Sequence, residues 1–226
     1  MDSPELTERF VRLASTDNLA IMAYYDKVIV PILLKYLEPE SPLLDLGCGG
    51  GVLLTLLQRR GFKNLYGIDA ASILLDRIPD KNIPVICDNY LNVRSHFQQG
   101  QFQAATVFNT LHHLETLEEF EAFFYNLHYI MKPGGLVFIK ELRNGMFYRI
   151  YNGMIKSSVT QFLFPWFIGP RNFVQTHEEE MHSRFFDFFL PQLKKILRTK
   201  DRFSFVKRHT PLSFENLLVV RANPTP

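Results

Sequence analysis

Short apolar runs alternate with longer amphipathic segments along most of the chain, and this alternation predicts strands and helices in turn. Strands are predicted at residues 43–46, 65–69, 83–87, 104–109, 136–141, 203–208 and 217–221. Helices are predicted at residues 50–60, 71–78 and 116 to about 131, the last beginning at the capping box Thr116-Leu117-Glu118-Glu119. Such βαβ alternation predicts an α/β fold with a doubly wound parallel sheet and crossover helices on both faces.

Two segments extend this pattern. Residues 4–37 predict a helical stretch, broken around residues 16–18 and bent or ended near Pro31. About 60 residues separate the fifth and sixth strands, far more than a crossover requires. A second capping box at Thr176–Glu179 predicts a helix to about residue 198 within this connection. We therefore expect one domain over residues 1–226, with 1–40 as a helical cover and 142–198 as an insertion.

The glycine-rich stretch Asp45-Leu46-Gly47-Cys48-Gly49-Gly50-Gly51 follows the first strand and precedes the first helix. Glycines allow a ligand to lie directly against the backbone of such a turn. A dinucleotide fingerprint would require a small residue at position 52, where Val52 stands instead. Asp45, at the strand end, is unfavourable beside a pyrophosphate and favourable beside a ligand that carries an ammonium and a sulfonium.

A second acidic residue, Asp69, ends the second predicted strand 22 residues after Gly47. An acid at the tip of this strand, about 20 residues past the glycines, is suited to accept both hydroxyls of a ribose. The alternative is that Asp69 only caps the helix that follows it.

Five motifs in order resemble those of class I S-adenosylmethionine-dependent methyltransferases. They are DLGCGGG at 45–51, YGIDAA at 66–71, CDNY at 87–90, FNTLHHLE at 108–115 and MKPGGLVFIKE at 131–141. The resemblance is greatest to the small-molecule branch that includes ubiquinone- and menaquinone-biosynthesis enzymes, and it covers residues 20–141. It implies a seven-stranded, Rossmann-like methyltransferase sheet whose last strand is inserted antiparallel.

The same resemblance implies S-adenosyl-L-methionine as cofactor and places its contacts at the carboxyl edge of the sheet. Asp45, Gly47 and Gly49 line the methionine half, Asp69 holds the ribose, and Asp88 and Asn89 meet the adenine. For Asp88 the alternative is an Asx turn with Asn89, and for Tyr25 it is helix packing rather than closure over the cofactor. The full set of expected cofactor contacts is Tyr25, Asp45, Gly47, Cys48, Gly49, Asp69, Ala70, Asp88, Asn89 and Asn109.

Three residues are candidates for proton transfer. His112 and His113 follow the fourth strand, and histidine is the default proton carrier near neutral pH. Glu141 ends the fifth strand, where an apolar pocket would raise the pKa of a carboxyl group. The alternatives are a structural histidine that fixes a turn, and a salt bridge from Glu141 to Lys140 or Arg143.

Composition excludes several other classes. A net charge of +2, with scattered basic residues, gives no case for nucleic acid as a partner. No histidine or cysteine set has metal-ligand spacing, so no metal site is expected. Two cysteines make no disulfide framework, and both are expected to be small buried residues of a reducing compartment. With no signal peptide visible, we expect a cytoplasmic protein.

Aromatic residues make up 14% of the chain and crowd into residues 146–190. Residues 146–175 are expected to form a lid over an apolar acceptor; the alternatives are a homodimer interface or core layer, and peripheral membrane contact. The sequence thus predicts methyl transfer to a small hydrophobic molecule. The alternatives are a catalytically silent cofactor-binding module and an NAD-dependent oxidoreductase.

Overall fold

A seven-stranded mixed sheet forms the centre of the protein in a computed structural model, which describes residues 15–142, 190–199, 201–210 and 215–224. The strand order is β3-β2-β1-β4-β5-β7-β6. β1 to β5 pair in parallel, while β7 is antiparallel to both β5 and β6. The predicted doubly wound, Rossmann-like methyltransferase sheet, with its last strand inserted antiparallel, is confirmed.

The strands are β1 Leu43–Leu46, β2 Leu65–Asp69, β3 Val85–Cys87, β4 Phe102–Phe108, β5 Met131–Leu142, β6 Phe203–His209 and β7 Glu215–Ala222. The α-helices are α1 Leu19–Tyr24, α2 Val30–Leu33, α3 Val52–Arg59, α4 Ser72–Leu75, α5 Val93–His96, α6 Leu117–Ile130 and α7 Leu190–Thr199. A π-helical segment covers Tyr25–Ile29, and short 3₁₀ turns cover Tyr90–Asn92 and Leu111–His113.

Two apolar clusters cover the two faces of the sheet. One joins α6 to strand residues such as Val107 and Ile139, and the other joins the N-terminal helices and α3 to residues such as Ala104 and Phe138. Neighbouring strand residues enter opposite clusters because side chains alternate across a strand. All of β1 is buried, as a central parallel strand covered on both faces should be.

Several boundaries differ from the sequence prediction. The predicted turn at 133–135 lies inside β5, where Met131 pairs with Phe102 and Leu136 with Ala104, so the residues between bulge from the ladder. The 3₁₀ turn at 90–92 and α5 occupy a stretch for which no element was predicted. α4 is shorter than predicted. The helix predicted from 176 to 198 is described only as α7, and most of the insertion lies outside the described residues.

The N-terminal helical stretch changes its hydrogen-bond pattern just before Pro31. Asn18 caps α1 by accepting a bond from the backbone N–H of Ile21, which agrees with the predicted break at 16–18. The Val30 N–H then bonds to the carbonyl of Tyr25, one residue farther back than in an α-helix. Because Pro31 has no N–H and its ring crowds an α-helical turn, this π segment accommodates the proline without ending the helix.

Candidate functional site

The glycine turn between β1 and α3 is built from left-handed backbone. Gly47, Gly49 and Gly51 have φ values of 73°, 52° and 72°. A Cβ at Gly47 would lie 2.5 Å from Thr110 Oγ1, and one at Gly51 would lie 2.9 Å from Ile78 Cγ1. The glycine-rich sequence predicts room for a ligand against the backbone of this turn. At these two positions the protein's own side chains occupy the space, so the glycines let the turn pack against its surroundings.

Asp69 links the glycine turn to the end of β2. Its Oδ2 accepts the Gly49 N–H at 2.8 Å, and its Oδ1 accepts the Ala71 N–H at 2.8 Å. A carboxylate offers about four lone-pair sites, so each oxygen retains the capacity to accept a second donor. The chemistry of this group therefore fits two ribose hydroxyls in addition to these two backbone bonds. The considered alternative, that Asp69 caps α4, is not what the structure shows, because α4 has Ala71 as its N-cap and no side-chain cap.

Asp45 is buried, with 4% of its surface exposed, and accepts the Thr106 hydroxyl at 2.6 Å. Asp45 pairs with Thr106 across the β1–β4 ladder. Burial raises the pKa of the Asp45 carboxyl from 3.8 to about 7, the Thr106 hydrogen bond opposes this rise, and the charge of Asp69 adds to it. A cationic ligand at this edge would offset the cost of ionising Asp45.

After β3, the two expected adenine contacts also have local partners. Asp88 accepts hydrogen bonds from the Asn89 N–H, the Asn92 side chain and His96 Nε2 at 2.7, 2.9 and 2.6 Å. These bonds, that from His96 first, lower the pKa of the Asp88 carboxyl. The Asn89 side chain caps the 3₁₀ turn through the Leu91 N–H. Both residues directly follow β3, as predicted, and their side chains form hydrogen bonds within the local turn.

Asn109, Lys140 and Tyr25 meet where β4 and β5 end. Lys140 Nζ donates to Asn109 Oδ1 at 3.0 Å, and the Asn109 N–H bonds to the Lys140 carbonyl at 2.7 Å. Asn109 has φ 52°, a left-handed conformation uncommon outside glycine. The Tyr25 ring lies 5.7 Å from Lys140 Nζ and 6.1 Å from the ring of Phe108. Tyr25 therefore lies at the ends of β4 and β5, where it packs against the apolar cluster of that face.

Glu141 is buried and holds the turn after β4. Its Oε1 accepts the N–H groups of Thr110 and Leu111 at 2.8 and 2.7 Å, and its Oε2 lies 2.9 Å from His112 Nδ1. His112 is buried, whereas His113 is exposed beside it, with ring centroids 4.3 Å apart. These bonds run to the backbone amides and to His112. Arg143, one of the two salt-bridge partners considered for Glu141, lies outside the described residues.

The two cysteines differ in their exposure to solvent. Cys48, within the glycine turn, is buried as expected, and burial raises the pKa of its thiol well above the ordinary value. Cys87 is exposed, so the expectation that both are buried is wrong. Cys87 ends a short edge strand, β3, and its Sγ lies 3.8 Å from the carbonyl of Ala70, another exposed residue of this edge.

Sequence reasoning missed the residues that support the site from neighbouring strands. Thr106 and Thr110 are ordinary residues of an apolar strand and its turn, and no local pattern marks them as partners of Asp45 and Gly47. Lys140 did carry a signal, because a lysine interrupts the apolar run of β5. The sequence alone suggests for Lys140 only a salt bridge to the neighbouring Glu141.

Within the described ranges, no helix is long and apolar enough to cross a membrane. In the same part of the chain, no three histidine, cysteine, aspartate or glutamate side chains converge as a metal-binding group.

A sequence model of the methyltransferase domain matches residues 21–187, which is well over half of the chain. The chain belongs to this methyltransferase family. This result confirms the predicted enzyme class, and it extends the match beyond the motifs into the insertion.

Solved structures agree on the fold. The PH0226 protein of Pyrococcus horikoshii OT3 has a TM-score of 0.65 at 16% identity, covering 94% of this chain and 96% of its own. A Methanosarcina mazei protein has a TM-score of 0.57 at 16% identity, with 87% and 98% covered. One from Mesorhizobium loti has a TM-score of 0.54 at 16% identity, with 84% and 96% covered. The latter two are described as S-adenosylmethionine-dependent methyltransferases, in agreement with the predicted cofactor.

Proposed function

We propose that this methyltransferase transfers the methyl group of S-adenosylmethionine to a small hydrophobic acceptor, as in the ubiquinone- and menaquinone-biosynthesis branch. The observation that carries the proposal is the position of Asp69, whose two oxygens are held by the N–H groups of Gly49 and Ala71. An acid fixed between the glycine turn and the end of β2 is suited to bind a ribose. Family membership and the buried Asp45 support the same assignment.

S-adenosylmethionine is the methyl donor and supplies a methyl group already activated on a sulfonium. Asp69 holds the ribose, and Asp45 and the glycine turn hold the methionine end. Asn109 follows the end of β4 and Tyr25 begins the π segment, and in this proposal both face the sulfonium. We assign the adenine to the edge formed by Ala70, Asp88 and Asn89, whose side chains and backbone also hold the local turn.

The protein contributes to catalysis largely by positioning, because a donor and an acceptor that are bound in line react without a covalent enzyme intermediate. Glu141 fixes the turn after β4 through Thr110 and Leu111, and it orients His112 by the bond to Nδ1. His112 and Glu141 are therefore positioning residues in this proposal. His113, whose ring is exposed at the same edge, is the residue assigned to accept a proton from the acceptor.

Residues 142–198 are proposed as the substrate-side cover, and residues 1–40 as the helical cover on the cofactor side. The insertion leaves the sheet at the end of β5, beside Lys140 and Glu141, and its aromatic composition suits an apolar acceptor. A homodimer contact or a peripheral membrane contact through 146–175 is the competing assignment. We place the enzyme in the cytoplasm, with no nucleic acid as a partner.

Calorimetric titration of the parent protein and Asp69→Ala with S-adenosylhomocysteine, S-adenosylmethionine and NAD tests the proposal. Loss of two charge-assisted hydrogen bonds should cost about 2–4 kcal/mol and weaken binding by roughly 30- to 1000-fold. Asp76→Ala, an exposed acid at the end of α4, serves as the matched control. Circular dichroism verifies that each variant is folded.

Equal affinity of Asp69→Ala and parent protein would refute the ribose assignment. Tighter binding of NAD would favour the oxidoreductase alternative. Binding of S-adenosylmethionine without turnover on any small hydrophobic acceptor would favour the silent module.

A further inference from the structure

A cavity of about 570 Å³ lies at the edge of the sheet opposite the proposed cofactor site. Its walls come from the residues before β4, the end of α6, the start of β5, and the residues just before β6 and just after β7. β4 has seven residues, so about 20 Å separate the two edges of the sheet. The cavity is therefore distinct from the site already described, and its volume is typical of pockets that bind small molecules.

Hydrogen bonds between these elements hold the walls of the cavity in place. The Gly100 N–H bonds to the Tyr129 carbonyl at 3.0 Å, which ties the loop before β4 to α6. His128 Nε2 lies 2.9 Å from the carbonyl oxygen of Asn223, and the Asn223 N–H bonds to the Arg202 carbonyl at 2.8 Å. A cavity whose walls are already fixed loses less conformational entropy when a ligand binds.

Aromatic and other apolar side chains form one part of the lining. Tyr125 and Tyr129 lie one turn apart on the same face of α6, and Met131 and Pro133 belong to the start of β5. The Tyr125 side chain is 48% exposed, although it is large and aromatic. Covering such surface with a flat apolar ring removes it from water and is favourable.

Two guanidinium groups lie beside these tyrosines. Arg94 Cζ is 4.2 Å from the centre of the Tyr129 ring and 5.0 Å from that of Tyr125, and Arg202 Cζ is 5.1 Å from that of Tyr125. Both arginines are exposed, and within the described ranges neither guanidinium has an ion pair or a hydrogen bond. A guanidinium in contact with a ring keeps its N–H donors, which lie in its own plane, available for an oxyanion.

The charges around the cavity favour an anionic ligand. The two arginines bring two positive charges, and Asp201 is the one carboxylate among the described residues that line the cavity. Lys132, between two lining residues of β5, and Glu121, one turn before Tyr125 on α6, add one charge of each sign nearby. The sum is positive by one charge, and by two when His128 is protonated. Charge-assisted hydrogen bonds from arginine to an oxyanion are short and strong.

We infer that this cavity is a second ligand site, and that it binds a flat aromatic ring that carries an oxyanion such as a carboxylate. The ring contacts the apolar side of the lining at Tyr129 and Pro133. The oxyanion accepts hydrogen bonds from Arg202, and the charge of Arg94 adds to the attraction. The inference goes beyond the proposed function and does not depend on it, because the cavity and the cofactor edge lie at opposite ends of β4 and β5.

The test uses 2-naphthoate as the probe, titrated calorimetrically into the protein in the presence of excess S-adenosylhomocysteine. 2-Naphthamide is the matched ligand, because it has the same rings and nearly the same shape without the charge. The variants are Arg202→Met and Arg94→Met, which remove the charge and keep an unbranched apolar side chain. Arg59→Met is the control, because Arg59 is exposed at the end of α3, which packs on the other face of the sheet. Circular dichroism verifies that each variant is folded.

2-Naphthoate should bind the parent and Arg59→Met about tenfold more tightly than 2-naphthamide does. Arg202→Met should weaken the binding of 2-naphthoate about tenfold, and Arg94→Met about threefold, because Arg94 acts from outside the lining. The affinity for 2-naphthamide should stay within about twofold in all variants. Amide hydrogen exchange should slow at the end of α6 and the start of β5 when 2-naphthoate binds.

The inference is overturned if 2-naphthoate does not bind the parent at millimolar concentration, if 2-naphthamide binds equally well, or if Arg202→Met binds 2-naphthoate as tightly as Arg59→Met does. Slower exchange at the turn after β4 instead would place the probe at the carboxyl edge and would also overturn it. Failure of S-adenosylhomocysteine to bind would count against the proposed function alone, since the titration with 2-naphthoate would still report on this cavity.

Discussion

Replacing Asp45 by asparagine should stabilise the ligand-free protein at alkaline pH, although it removes a residue of the proposed site. Asparagine is close in shape, and its carbonyl oxygen can accept the Thr106 hydroxyl that Asp45 accepts at 2.6 Å. It cannot ionise, however. The substitution therefore isolates the free-energy cost of the buried charge.

The magnitude follows from the pKa of Asp45, which burial raises from 3.8 to about 7. A folded-state pKa above the unfolded value means that the native protein holds a proton that the unfolded chain releases. Stability due to this group is therefore lost as pH rises from about 4 to 7. Between pH 5 and pH 8 the parent should lose about 3 kcal/mol of unfolding free energy relative to Asp45→Asn.

Urea unfolding of both proteins without ligand at pH 5, 6, 7 and 8 measures this difference directly. Asp76→Asn, on the exposed surface, controls for the loss of one carboxyl group. The difference in unfolding free energy should grow with pH, whereas affinity for S-adenosylhomocysteine should fall about tenfold or more. A difference that is equal at pH 5 and pH 8 would refute the reasoning, because Asp45 would then ionise as it does in the unfolded chain.

Two further predictions concern the backbone of the site. Gly47→Ala should reduce the unfolding free energy by about 2–5 kcal/mol, because the left-handed φ and the contact with Thr110 both oppose a Cβ. Gly61→Ala, with φ 88° but nothing near its Cβ, should lose only about 1–2 kcal/mol in the same urea titration, and equal losses would contradict the packing argument. Glu141→Gln should lose about 2–4 kcal/mol and lower kcat, since the turn after β4 depends on its carboxylate. The exposed Glu118→Gln is its control, and an unchanged stability of Glu141→Gln would show that the turn needs no charge.

Local sequence was sufficient to predict an element wherever the residues that produce it lie within one short segment. β1 and β2 have the predicted bounds, because each is a short, mostly apolar run that ends at or beside an acidic residue. Thr116 accepts the Glu119 N–H at 3.1 Å, as its capping box predicted. The prediction of a turn at residues 133–135 was wrong, because the local turn signal conflicts with the pairing of β5 with β4. Pro133–Gly135 has the composition of a turn, yet the residues on either side of it continue one strand against β4.

Strand periodicity and motif spacing are properties of the chain order, and they were sufficient to predict the fold class, the methyltransferase family and the positions of Asp45 and Asp69. The partners of those residues follow only from the fold in three dimensions. Asp45 meets Thr106 because β4 lies beside β1, and the sequence does not state the strand order. Lys140 reaches Asn109 and Tyr25, and Glu141 reaches the turn at 110–112, because the ends of β4 and β5 meet under the N-terminal helices. Burial then sets the electrostatics, since the cost of a charge depends on what surrounds it in space rather than along the chain.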